Sequence, residues 1–392
     1  MLHLLFWGSF ALLFYSFFGY GILRYVLVNL KALFNKPEPV ASNFQPAATV
    51  VVTCCNRGFV LEKKIQNCRE LDYPKEKLQL LFITDGTTAK TGTMLQKYTE
   101  VNVLHNAGRS SKAAAENRAM QQVTTPIVIF TDADTLLNKD AVNNIVRHFA
   151  DEKVGCVSGE KGIQLQTSIV SAAGQSSSWR YDSFWKKLWG QLSGPVGATG
   201  KLVAFRTGLY EAVPEDTVLN GFVQSMYVAA SGYKIVHEAE AYATETTAVT
   251  TKEELERKIR SCAGGWQAMK RLSGRLSMVK SPVLYLHYFS YCILRWAVNP
   301  LLLVLFFFSN VSLAWESPFF LTVLYLQVFF YLTSLAGYCI LGTQLKVNAF
   351  FLPYRVCIKS YSVVAGLICF LNGLESGIWK ENSQVSAHLS KS

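Results

Sequence analysis

Two carboxylates separated by a single residue, Asp132 and Asp134, close the stretch PIVIFTDAD over 126–134. In extended chain alternate side chains share a face, so both acids can point the same way. A pair of this kind suits a hard divalent cation, Mg or Mn, that keeps several waters and is held between the protein and a diphosphate. Taken alone, an acidic pair after an apolar run is also read as a solvated turn. Asp85, in LFITDG, is a further acid placed directly after an apolar run.

The elements that must position these acids alternate between strand and helix. Strands are expected at Thr49–Thr53, Leu78–Thr84, Val101–His105, Pro126–Thr131, Val154–Ser158, Leu202–Arg206 and Tyr233–Val236. Helices are expected at Val60–Arg69, Ser111–Gln122, Lys139–Ala150 with Asn138 as cap, and Phe222–Ser231 closed by Gly232. Such alternation predicts an α/β domain over 47–246 with a mostly parallel sheet covered on both faces. Ligands of such sheets bind beyond the carboxyl ends of the strands, which would gather Asp85, Asp132 and Asp134 into one nucleotide site. Between two of the strands, Trp179, Tyr181, Phe184, Trp185 and Trp189 form an aromatic run that fits either sugar stacking or core and membrane packing.

Composition sets the surroundings of that domain. The 392 residues are 50% hydrophobic and only 17% charged, with 38 Lys plus Arg against 27 Asp plus Glu and a net charge of +11. The balance is too apolar for a typical soluble protein. Residues 1–30 carry one charge, Arg24, and are long enough for a membrane anchor without the pattern of a cleaved signal. Apolar spans are expected at Val283–Phe308 and Phe319–Leu341, while Ser360–Leu374, at 15 residues, needs extension upstream to span. Three spans and a candidate fourth follow, with a C-terminal membrane region over 283–374. Residues 253–280 hold a basic amphipathic helix, with Ile259, Trp266 and Met269 near one face, that suits the bilayer interface. The positive-inside rule assigns Lys31, Lys36, Lys346, Arg355 and Lys359, and with them the α/β domain, to the cytoplasmic side of a cell membrane. The positive excess then reflects the bilayer, and no feature points to nucleic acid. Arg295 and Glu316 are the only charges over 282–345, too few for a transporter's substrate path. The nine cysteines show neither C-x-x-C nor metal-ligand spacing and read as reduced thiols.

Several landmarks, met in order, resemble the membrane-bound family-2 glycosyltransferases, the group that includes hyaluronan, chitin and poly-N-acetylglucosamine synthases. They are VVVTCCNRG, LDYPKEKLQLLFITDGT, GRSSKAAAENRAM, TDADT and RKIRSCAGG. The resemblance implies a GT-A fold flanked by transmembrane helices and inverting transfer from a nucleotide-sugar donor, a UDP-sugar, to a glycan or lipid-linked acceptor. It implies nucleotide contacts at Cys55, Asn56, Asp85, Lys112 and Asp132, a Mg or Mn ion at Asp132 and Asp134, and a gating arginine at Arg260.

The resemblance breaks on the acceptor side. The family's catalytic base lies in an acidic pair at a helix start, eleven residues before a glycine, and counting back from Gly232 gives Gly221 preceded by Asn220. Neither residue can act as a carboxylate base. Glu215 and Asp216 lie nearby but need a rearranged loop to substitute. Arg57, Ala89 and Lys201 also stand where the family commonly has acids, and Ser261 where the gate has tryptophan. Two readings therefore stay open: a working membrane glycosyltransferase, and a pseudo-glycosyltransferase that binds nucleotide or scaffolds other proteins. The missing gate tryptophan and the small number of spans favour single transfer over processive synthesis.

Overall fold

The structure, a computed structural model, describes residues 1–34, 44–55, 58–86, 94–95, 97–106, 108, 110–162, 197–198, 201–245, 251–276, 281–340 and 348–373. Asn56, Arg57, Ala89, Lys36, Lys346 and the aromatic run over 176–189 lie outside these residues.

An eight-stranded sheet forms the centre. Its strands are β1 (Ala48–Cys55), β2 (Leu78–Asp85), β3 (Val101–Asn106), β4 (Ile127–Asp132), β5 (Thr135–Leu137), β6 (Val154–Gly162), β7 (Leu202–Arg206) and β8 (Lys234–Glu245). Their spatial order is β3-β2-β1-β4-β7-β6-β8-β5. The β3-β2-β1-β4 block and the β6-β8 pair are parallel, and β7 joins them by antiparallel ladders to β4 and β6. β1 is apolar at successive positions because both its faces are covered. Val50 and Val52 pack with Leu61 and Ile65 of α3 (Gly58–Arg69) and with Val142 of α5 (Ala141–Val146). Val51 packs on the other face, with Ala115 and Ala119 of α4 (Lys112–Met120) and Val228 of α6 (Asn220–Ala230). The register sets Cys55 beside Asp85 and Thr53 beside Asp132, so both acids emerge at the same edge, flanking the end of β1.

Two expectations are corrected. The last strand does not stop at Val236: β8 runs on to Glu245, and the short β5 pairs with its end. Residues 237–245, HEAEAYATE, are poor in β-branched types, and pairing with β6 and β5 overrides that weak propensity. Asn138 does not cap a helix; its amide donates to the Glu240 carbonyl and its oxygen accepts from the Tyr242 N–H, each at 2.9 Å. Arg355 and Lys359 lie inside α11 (Asn348–Leu371).

Among the described residues, four helices are long and apolar enough to cross a membrane: Leu2–Leu27, Pro282–Leu313, Pro318–Ile340 and Phe350–Leu371. The fourth gains its length from residues before Ser360. Large apolar side chains such as Leu4, Phe308, Leu326 and Leu352 stand exposed on them, as lipid-facing residues would. The amphipathic helix α7 (Thr251–Leu272) is clamped between the sheet domain and α11. A Cβ on Gly264 would stand 2.7 Å from the Val218 side chain, and one on Gly366 would stand 2.7 Å from Cys262. The Trp266 indole donates to the Val363 carbonyl at 3.2 Å.

The extended β8 is tied to the short helical turn after α5 by Glu238, which accepts from His148 at 2.6 Å and from Arg147 at 2.8 Å. Burial alone would raise this carboxyl, but the His148 and Arg147 hydrogen bonds outweigh it and bring it down to about 2. A depressed carboxyl stabilises the fold above its ordinary value and loses that contribution as pH falls. Glu238→Gln is therefore expected to lower stability by roughly 2 kcal/mol at neutral pH. The gap from wild type should close between pH 4.5 and about 2 in thermal melts. A constant gap across that window would show that the ion pairs do not set it.

Candidate active site at the end of β4

Asp132 is the last residue of β4, and Asp134 follows in the turn before β5. One Asp132 oxygen receives Lys112 Nζ at 2.5 Å and Thr53 Oγ1 at 3.2 Å; the other faces Lys201 Nζ at 3.1 Å. Lys112 opens α4, whose Ser111 cap oxygen accepts from the Ala114 N–H at 3.0 Å. Lys201 immediately precedes β7 and also lies 3.5 Å from Asp134 and 3.2 Å from Glu245, the last residue of β8. Glu245 is shared further with Lys161 at 3.2 Å and Arg257 at 3.7 Å.

These contacts set the charge states. Burial would lift Asp132, but Lys112 and then Lys201 hold it well below the usual carboxylate range. Burial would lower Lys201, but Asp132, Asp134 and Glu245 together raise it above an ordinary lysine. Underneath, the fully buried Lys64 donates to the Thr135 carbonyl at 2.7 Å and to Thr131 Oγ1 at 3.3 Å, pinning the turn that carries the acids. Its burial pushes that ammonium below the ordinary lysine value.

On the opposite side of Lys112 lies Glu116, with Oε1 at 3.8 Å from the ammonium. Burial pushes its carboxyl up to about 7, against the opposing pull of Lys112. The Asn220 amide, in the first turn of α6, donates to the second oxygen of Glu116. Asn220 and Gly221 are both buried, Asn220 against Glu116, so a carboxyl does reach the helix start from α4.

The other sequence candidates separate into groups. Asp85 is fully buried at the end of β2, taking Arg118 in an ion pair and the Ser110 hydroxyl in a hydrogen bond. Asp216 is turned to Arg271 at 2.6 Å on α7, away from the helix start, and Glu215 is exposed. Arg260 is exposed on α7, with no hydrogen bond or ion pair among the described residues. The backbone of Cys55 ends β1, and Asn56 lies outside the described residues. Glu116, Glu245 and Lys64 carried no sequence signal. Lys201 stood out only as a base where an acid was expected.

The acidic pair is where a divalent cation would be held, but the residues present do not fit one. Among the described residues no group of three or more His, Cys, Asp and Glu side chains is arranged to hold a metal ion, so a cation at this pair would need the diphosphate and waters for its remaining ligands. Both acids already face the Lys201 ammonium, and two unit charges of like sign at about 4 Å repel by about 4 kcal/mol at an effective dielectric of about 20. A dication would meet about twice that.

Comparison with known proteins comes from sequence and from fold. A model described as glycosyl transferase family 2 matches residues 49–180, and one described as glycosyl transferase family group 2 matches 127–339, more than half of the chain. The poly-beta-1,6-N-acetyl-D-glucosamine synthase of Staphylococcus aureus is 27% identical over 157 residues, 38% of this chain and 37% of that protein. The beta-monoglucosyldiacylglycerol synthase of a Nostoc species is 26% identical over 203 residues, 49% of this chain and 42% of that protein. The chain thus matches about two fifths of these relatives' length. The mannosyltransferase PcManGT from Pyrobaculum calidifontis, solved with GDP-Man and Mn2+, superposes with a TM-score of 0.68 at 22% identity. The match covers 95% of this chain and 99% of that one, and it establishes the GT-A fold.

The burial of Asp85 generates a test. Removing one partner of a buried ion pair strands the other charge at a cost of about 3–5 kcal/mol. Arg118→Ala is expected to lower unfolding free energy by that order, and Arg118→Ala combined with Asp85→Asn to recover part of the loss. Equal stability of Arg118→Ala and wild type would show that the pair does not hold the β2 end.

Proposed function

The chain belongs to the family 2 glycosyltransferases, and on that premise we propose that it is a membrane enzyme moving a sugar from a nucleotide-diphosphate donor, tested first as a UDP-sugar, to a glycan or lipid-linked acceptor with inversion. The observation that carries this reading is the pairing of Lys112 and Lys201 on Asp132 at the sheet edge. As the sugar–phosphate bond breaks, negative charge builds on the leaving diphosphate. Ammonium groups fixed beforehand at that spot stabilise it without reorganisation. The acceptor hydroxyl attacks the anomeric carbon from the opposite face, which inverts its configuration, and passes its proton to a base.

Asn220 and Gly221 cannot take that proton. Glu116 meets Asn220 and has its carboxyl at about 7, the range in which a base both ionises and accepts a proton at neutral pH. In this reading Glu116 replaces the acid missing from α6. The positive flank after the first apolar helix supports a reading with the GT-A domain on the cytoplasmic face of a cell membrane. The names of the two relatives, one a polysaccharide synthase and one a glycolipid synthase, support glycan and lipid acceptors as the classes to test.

Purified protein in detergent is expected to consume a UDP- or GDP-sugar, by acceptor transfer or slow hydrolysis, and Asp132→Ala to abolish this. Glu116→Gln should lower turnover by roughly 100- to 10,000-fold and remove the rise in rate as pH passes about 7. A folded wild-type protein that binds nucleotide and turns over no sugar donor would instead identify a binding or scaffolding subunit.

A further inference from the structure

Three carboxylates from separate segments converge on one ammonium. Lys201 Nζ stands 3.1 Å from Asp132, 3.5 Å from Asp134 and 3.2 Å from Glu245. These acids come from the end of β4, the turn behind it and the end of β8, so Lys201 occupies the point where the three segments meet. Its own position is set by the backbone at the start of β7, which is locked by the antiparallel ladder to β4. The side chain keeps 28% exposure, so a ligand can approach it.

We infer, resting on the donor-binding reading above, that Lys201 is a built-in cation: its ammonium stands where a divalent metal would stand, between Asp132, Asp134 and Glu245 and the donor diphosphate, and nucleotide binding is independent of Mg and Mn. Three observations converge on it. Both oxygens of Asp132 are engaged, one by Lys112 and Thr53 and the other by Lys201, so neither is open to a hard cation while these contacts stand. Glu245 is balanced independently by Lys161 and Arg257. Lys112, Lys201, Lys161 and Arg257 stand at 2.5–3.7 Å from these three acids, with Glu116 a fourth acid 3.8 Å from Lys112, so a diphosphate arriving at this edge would meet four cationic side chains without an added ion. A lysine suits the part because it is a compact point charge with three donors.

Two measurements on the full-length protein in detergent test this. UDP and GDP binding, by calorimetry, is expected to be the same in EDTA and in Mn2+. Lys201→Met should weaken binding in EDTA by roughly tenfold or more, and Lys201→Arg, which keeps the charge, should retain it. Titration of Mn2+ alone, followed by its electron paramagnetic resonance signal, should leave the ion free in the presence of wild type. The inference is overturned if Mn2+ tightens nucleotide binding tenfold, if Lys201→Met binds like wild type in EDTA, or if wild type captures Mn2+ at a site lost in Asp134→Ala. If neither nucleotide binds in either buffer, the donor-binding reading fails. The Mn2+ titration then decides the Lys201 assignment by itself.

Discussion

A carboxylate at the end of a fully covered strand has to be neutralised where it stands, and the site is built around that requirement at Asp132. β4 delivers the acid to the sheet edge because its own residues, from Ile127 to Phe130, are buried on both faces. Leaving the charge unpaired there would cost several kcal/mol. Lys112 and Lys201 meet the need from two directions, one from the start of α4 and one from the start of β7. Each lysine then recruits further acids, Glu116 on one side and Asp134 with Glu245 on the other. The same interaction that allows the strand to end in an acid therefore assembles the cationic surface that a diphosphate would meet.

The sheet domain and the apolar helices meet through α7. Its small residues, Gly264 against Val218 and Cys262 with Ala263 against Gly366, let it approach both bodies closely. Arg271 and Gln267 reach the loop before α6 through Asp216, so the helix that carries Asn220 and Gly221 is referenced to the helices beside the bilayer. An acceptor emerging from the membrane side would meet a helix start whose position is fixed by membrane-proximal packing. Asp216 serves here as the tie to α7.

The sequence made local features legible and long-range ones hard to read. The apolar runs ending in Asp85 and Asp132 announced parallel strands, because burial on both faces leaves a continuous hydrophobic pattern. Asn220 and Gly221 could be placed at a helix start by counting back from Gly232, and α6 begins there. The end of β8 was not, since HEAEAYATE owes its extended form to partners far away in the chain. Nothing local marks Glu116 within its alanine-rich helix, and only the packing of α6 against α4 gives it Asn220 as partner. Lys64 sits next to Lys63 in a polar stretch, and nothing local distinguishes the fully buried lysine from its exposed neighbour. Lys201 was visible as an oddity whose meaning depends on three acids brought in by folding.

The most direct measurement is an experimental structure of the full-length protein with a bound UDP- or GDP-sugar. The diphosphate oxygens are expected within hydrogen-bond distance of the Lys112 and Lys201 ammonium groups, with no metal density between them and Asp132. A diphosphate bridged to Asp132 and Asp134 by a metal ion, with Lys201 swung away, would contradict this, as would a nucleotide bound elsewhere on the sheet.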